Sequence, residues 1–212
     1  MFLQNKRESP SAKYWSIISL FWLLATIFDR IWWNFYTKGI PAWDQADYLN
    51  SALDHGRALG FLQGEWKGLE ALLDLSPKIP PFASILNGLV MAFTGELPVN
   101  ASWSLSFWHA LLLFSVAGWC VLISSQRLGY ISVFILIFSP ALLDLRTNYV
   151  LEMPLISLTT FSLWQLGAWL DLKKGGKLRL LLIAFFASSL SLLVKQSALL
   201  ILSPALISNS KH

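Results

Sequence analysis

PFASILNGLVMAFTG, residues 81–95, is apolar enough to enter a bilayer and too short to cross one. A hydrocarbon core takes roughly 17 to 25 helical residues, whereas this run opens on proline and is interrupted by Asn87 and Gly88. If it spans, every later loop changes side. If it lies along the interface, the basic loops QRLG (126–129) and DLKKGGKLR (171–179) fall on the same side as an N-terminus carrying Lys6, Arg7 and Lys13. The excess of Lys and Arg in cytoplasmic loops favours the second count, because Arg127, Lys173, Lys174, Lys177 and Arg179 then all stay cytoplasmic.

The rest of the chain supports a membrane reading. Of 212 residues, 55% are hydrophobic and only 13% charged, with a mean hydropathy of +0.56, a balance that belongs to integral membrane proteins. Five runs are long enough to cross or nearly so: about 15–36, 103–124, 128–143, 153–170 and 178–194. A sixth, 197–207, is shorter. The bulky aromatics Trp32, Trp33, Phe35 and Tyr36 close the first run where a signal peptide would need small residues, so it reads as an uncleaved span. Lys and Arg are too scattered to make a basic stripe, which argues against nucleic acid as a partner. The lone cysteine, Cys120, excludes an intrachain disulfide, and no CxxC or His/Cys box offers a metal site.

The expected fold is therefore an all-α integral membrane protein of five to six transmembrane helices, organised as one membrane domain over 1–212. Residues 1–14 form a cytoplasmic tail, and residues 37–102 a large extracytoplasmic loop with amphipathic interfacial helices. The short loops 144–152 and 194–198 fall on the same outer side.

Those three loops carry the polar residues. Asp44 and Asp47 share a face of a helix beginning near Trp43, and Tyr48 follows. Capping of that helix explains the carboxylates, and so does an aqueous site at the membrane mouth. LSPKIPPF (75–82) holds Lys78 in a rigid, proline-framed approach to the membrane, where it either snorkels to headgroups or grips a lipid-linked phosphate. LDLRTNYVLEMPL brings Asp144, Arg146, Asn148, Tyr149 and Glu152 within nine residues, more polar function than a turn needs, although Glu152 again suits a helix N-terminus. Asp29 and Arg30, inside the first span, are consecutive and face different sides, so they do not simply neutralise each other and either meet partners on other helices or reach the interface. His109 and Cys120 read as packing residues.

Taken in order, WDQADYLNSAL, SPKIPPF, RTNYVLEMPLISLTTFSLW and LLVKQSALLILSPAL resemble the polyprenyl-phosphate-sugar-dependent glycosyltransferases of family 39, the relatives of protein O-mannosyltransferases and lipid A aminoarabinose transferases. The resemblance implies a GT-C-like helical bundle in the plasma (inner) membrane with a cytoplasmic N-terminus, and a hexosyl or pentosyl transfer from a polyprenyl-phosphate sugar donor to a lipid, protein or glycan acceptor. It implies Asp44 and Glu152 as the catalytic acids, with Asp44 the general base. Gln45, Asp47, Tyr48, Lys78, Arg146, Tyr149 and Lys195 then bind substrate, the cations facing the phosphate. Gln45 stands where the family has Glu. A divalent cation held by Asp44 and Glu152 is a possible cofactor. The likeness reaches only the N-terminal part of the family, so the chain is expected to be that portion of a longer or split enzyme. The rival is an inactive or split membrane subunit of the same fold, acting in assembly or lipid binding. A small transporter fits less well, because the ionisable groups collect at the loops.

Overall fold

Leu20, Leu24, Ile27, Ile31 and Phe35 recur every three or four residues and all face outward from a 24-residue helix, α1 (Ala12–Phe35). The opposite face buries Tyr14, Ile18, Thr26, Asp29 and Trp33. This arrangement, apolar outside and polar inside, reverses that of a helix in water. Hydrocarbon accepts the outer face and drives ionisable groups inward.

The computed structural model describes residues 10–35, 43–75, 80–171 and 177–209. Lys78, expected at the candidate site, lies outside them, as do Lys6, Arg7, Tyr36, Lys173 and Lys174. Among the described residues there are ten α-helices and no strand. After α1 come α2 (Trp43–Ala58), α3 (Phe82–Thr94), α4 (Pro98–Ala101), α5 (Trp103–Ile123), α6 (Gln126–Phe138), α7 (Pro140–Thr147), α8 (Glu152–Asp171), α9 (Leu178–Leu192) and α10 (Ala198–Asn209).

Helices α5, α8 and α9 form the centre. Gly118 lies against the ring of Trp164, so a missing Cβ lets α8 approach α5. Hydroxyls fasten the same interfaces: Ser157 donates to the Trp108 carbonyl at 2.7 Å, and Ser162 donates to the Ala184 carbonyl at 2.9 Å. Small residues and hydroxyls are what close helix contacts in a membrane, where no hydrophobic force separates helix from lipid. A second group of packed side chains joins α1, α5 and α6, with the Tyr14 hydroxyl donating to the Ala117 carbonyl at 2.9 Å.

These contacts fix which ends lie together. The start of α1 meets the far end of α5 through Tyr14 and Ala117. Its outer part meets the beginning of α5, where Trp22 donates to the Ser106 carbonyl, and the preceding α4, where Arg30 donates to the Val99 carbonyl, both at 2.9 Å. The chain between α1 and α5 therefore returns to the end it left, and α3 does not exchange the ends. Instead α3 packs on α2, where a Cβ on Gly88 would stand 2.5 Å from the Ala52 carbonyl oxygen and 3.0 Å from Gly56 Cα.

Among the described residues two helical stretches are long and apolar enough to cross a membrane, Ala12–Phe35 and Pro98–Ile123, with a third if α6 and α7 count as one broken span. That is fewer than the five to six runs counted in the sequence. One cause is Pro140. The run 128–143 reads as a single helix, yet α6 and α7 meet at 60° because proline lacks an N–H and holds Ser139 extended at φ −64, ψ 122. The other is α8, which is 20 residues long but spends Ser157, Thr159, Ser162 and Gln165 on its buried face. Helices α3 and α9 are shorter apolar helices. The architecture is all-helical and compatible with a helical membrane protein.

Candidate functional site

Asp44 occupies the first turn of α2, where its charge is favoured by the helix dipole, and both Asp44 and Asp47 are exposed. Tyr48 stands one turn on from Asp44 and is half-buried. Glu152 opens α8 in the same way. The third piece is the turn between α9 and α10, anchored to α3 by the Phe82 N–H donating to the Leu193 carbonyl at 3.1 Å, with Val194 and Ala198 buried on either side of Lys195. From this turn the Lys195 ammonium donates to Glu152 Oε1. Both side chains keep 39% of their surface in contact with solvent.

The electrostatics tie the three pieces into one cluster. The Tyr48 phenol is raised above its ordinary value of 10.0, first by partial burial and then by the Glu152 carboxylate; Lys195 opposes, and Asp44 and Asp47 add. Lys195 is raised above 10.5, chiefly by the hydrogen bond to Glu152, which outweighs burial, with the charge of Glu152 and then Tyr48 and Asp44 contributing. Near neutral pH Tyr48 is thus a neutral hydrogen-bond donor and Lys195 a cation. Three carboxylates, a phenol and an ammonium so arranged can accept a proton, donate hydrogen bonds and attract an anion.

Next to the cluster runs the connector from α7 to α8. Gln45 donates through Nε2 to Asn148 Oδ1 at 2.9 Å, and Asn148 donates through Nδ2 to Asp144 Oδ1 at 2.6 Å. Gln45 is thereby engaged with the chain itself. Tyr149 is 1% exposed, its hydroxyl beside Ser104 and Asn87 without a well-formed hydrogen bond, and burial pushes the phenol well above its ordinary range. It does not line an open vestibule.

Arg146 is also elsewhere. The sequence suggests a loop residue facing a phosphate, but α7 continues to Thr147 and turns this side chain inward, to 2% exposure. Its Nε lies 3.3 Å from Asp29 Oδ2 and its Nη1 lies 3.3 Å from His109 Nε2. Trp33 Nε1 donates to the Arg146 carbonyl at 3.1 Å. The guanidinium charge is balanced from within the bundle, by Asp29, and Arg146 is not brought to the exposed cluster of Glu152 and Lys195. His109, read as packing alone, is buried and is also a neighbour of this pair. The signal for the pairing was Asp29 itself, a carboxylate inside an apolar run that requires a cation from another helix. Arg30 turns away to the Val99 carbonyl and lies over the Trp103 ring at 4.5 Å.

For a divalent cation at Asp44 and Glu152 the structure offers little support. One Glu152 oxygen is held by an ammonium, which repels a second cation, and no group of three His, Cys, Asp or Glu side chains suited to a metal exists among the described residues.

Comparison with protein-family models, with curated proteins and with solved structures finds no match to this chain.

Proposed function

We propose that the chain is a membrane glycosyltransferase, or the catalytic N-terminal part of one, of GT-C-like fold, moving a sugar from a polyprenyl-phosphate carrier to an acceptor. In this reading it sits in the plasma membrane with its N-terminus in the cytoplasm and its site outside. One observation carries the proposal: Lys195 and Glu152, from separate segments, pair at a partly open site, and the first turns of α2, with Asp44 and Tyr48, lie within reach of their charges. The distribution of charge supports the orientation. Lys13 and Arg127 belong to the end of the bundle where the Tyr14 hydroxyl reaches Ala117, while the acidic cluster belongs to the end where α1 meets α4 through Arg30 and Val99.

The chemistry asks little of the protein beyond these groups. An acceptor hydroxyl or amine attacks the anomeric carbon while the bond from that carbon to the phosphate oxygen breaks, its electron pair leaving with the phosphate. Asp44, exposed and unpaired with any cation at hydrogen-bond distance among the described residues, takes the acceptor proton. Lys195 offsets the charge that develops on the phosphate. Glu152 holds that ammonium in place, and Tyr48 donates a hydrogen bond to the sugar or phosphate. Asp47, also exposed, adds to the polar rim that receives the acceptor.

The test is transfer of labelled sugar from a synthetic polyprenyl-phosphate donor by the purified chain in lipid nanodiscs. Turnover that disappears in Asp44→Asn while membrane insertion is retained supports the reading. Full activity in that variant removes Asp44 from the reaction, and no transfer by the parent chain with any donor leaves the rival, a non-catalytic subunit of the same fold.

A further inference from the structure

The Lys195 to Glu152 contact is half-exposed, so it cannot by itself hold the site in register. What holds Glu152 lies in the six residues before it. Arg146 is gripped from α1 by Asp29 through its side chain and by Trp33 through its carbonyl, and from α5 by His109. Asn148 is tied to Gln45 at the beginning of α2. Tyr149 and Leu151 are buried. Three helices thus close on one short connector, and among the described residues the buried charges in the grip are Asp29 and Arg146.

We propose that the buried Asp29 to Arg146 pair is a positioning device: it docks the end of α7 on α1 and so sets Glu152 opposite the N-terminus of α2. One general cost and one observation favour this over a pair kept for stability. Taking two charges out of water is expensive, and replacing a buried ion pair by apolar side chains of the same volume is often neutral or stabilising, so energy alone is a weak reason for the pair. The pair is also imperfectly satisfied, since Asp29 Oδ1 is buried with no hydrogen-bond partner among the described residues. Asp29 and Arg146 are then positioning residues for the site. The inference rests on the functional reading above only in what the positioning is for.

The test uses the full chain with Cys120→Ser. One reporter pair, Gln45→Cys with Asn148→Cys, replaces side chains in direct contact and reads the docking of the connector on α2 by disulfide yield. A control pair, Ser162→Cys with Ser188→Cys, replaces hydroxyls 2.6 Å apart on α8 and α9 and reads the bundle. Asp29→Leu/Arg146→Met removes both charges and refills their volume. The 45–148 disulfide is expected to fall towards background in this variant while the 162–188 disulfide forms as before. Trp33→Phe deletes the hydrogen bond to the Arg146 carbonyl, with some loss of buried volume, and is expected to weaken the 45–148 disulfide without any change of charge. Unchanged 45–148 yields in both variants overturn the proposal. Loss of both disulfides together in both variants also overturns it, because the contacts then support the whole bundle rather than aim one connector. In sugar transfer, measured without the reporter cysteines, kcat falls by on the order of 10²-fold with KM unchanged, the effect of misplacing a group by about 1 Å. If the disulfides respond as expected and even the parent transfers no sugar, the positioning stands and the function proposed above fails.

Discussion

The ammonium of Lys195 donates to the carboxylate of Glu152 across 43 positions of sequence, joining the turn after α9 to the first turn of α8. Neither residue is remarkable for exposure or for its neighbours in the chain, and each has an ordinary structural explanation alone. Their contact gives the end of the bundle a fixed cation with a fixed counter-charge, beside a helix N-terminus that carries Asp44.

Lys195→Met removes the cation and is expected to lower transfer by on the order of 10²-fold or more, whereas Lys195→Arg keeps the charge and retains more of the rate. The effect on stability is small, about 0.2–1 kcal/mol, because the pair is partly solvated. Parallel measurement of turnover and thermal unfolding in detergent checks both; a large loss of stability with little loss of rate makes the pair structural.

The contribution of this pair to stability has a definite pH dependence. Lys195 is raised above 10.5 by the folded protein, so its stabilisation is fully present below 10.5 and is lost as pH rises through the higher folded value. Unfolding of the parent chain is expected to become easier above that point relative to Lys195→Met. Parallel curves for the two chains between pH 9 and pH 12, about the range where lysine loses its proton, contradict the assignment.

Asp44→Asn and Asp47→Asn separate two neighbouring carboxylates on one exposed helix face. Loss of the general base proposed at Asp44 is expected to reduce transfer by about 10²- to 10⁴-fold, with a lesser effect at Asp47, expressed mainly in KM. Equal losses in kcat from both changes would falsify the assignment of the base to Asp44.

Gly88→Leu tests the α2 to α3 contact. Even the first added carbon stands 2.5 Å from the Ala52 carbonyl oxygen and 3.0 Å from Gly56 Cα, both backbone atoms that cannot swing aside. The cost is expected to be about 1–3 kcal/mol or more, read as a lower unfolding temperature. An unchanged temperature means that α3 does not sit this close to α2.

The sequence carried much of this architecture. The runs 103–124 and 153–170 return as α5 and α8 within a residue at each edge, because a continuous apolar run without proline in its interior has one low-energy form in hydrocarbon. The helix beginning at Trp43 and the acidic first turns of α2 and α8 follow from local capping preferences. The run 128–143 misled by its composition: hydropathy averages over Pro140, but the backbone cannot.

By itself, then, the sequence determined an all-helical, membrane-compatible chain whose ionisable groups collect at helix ends, since burial cost and hydrogen-bonding acts residue by residue. Tertiary structure alone decided which of those groups meet. Nothing local tells Arg146 to pair with Asp29 rather than face outward, or Lys195 to reach Glu152, because each choice depends on how α1, α7, α8 and α9 are packed. Long-range electrostatics inside a low-dielectric bundle reward only the pairings that the packing permits.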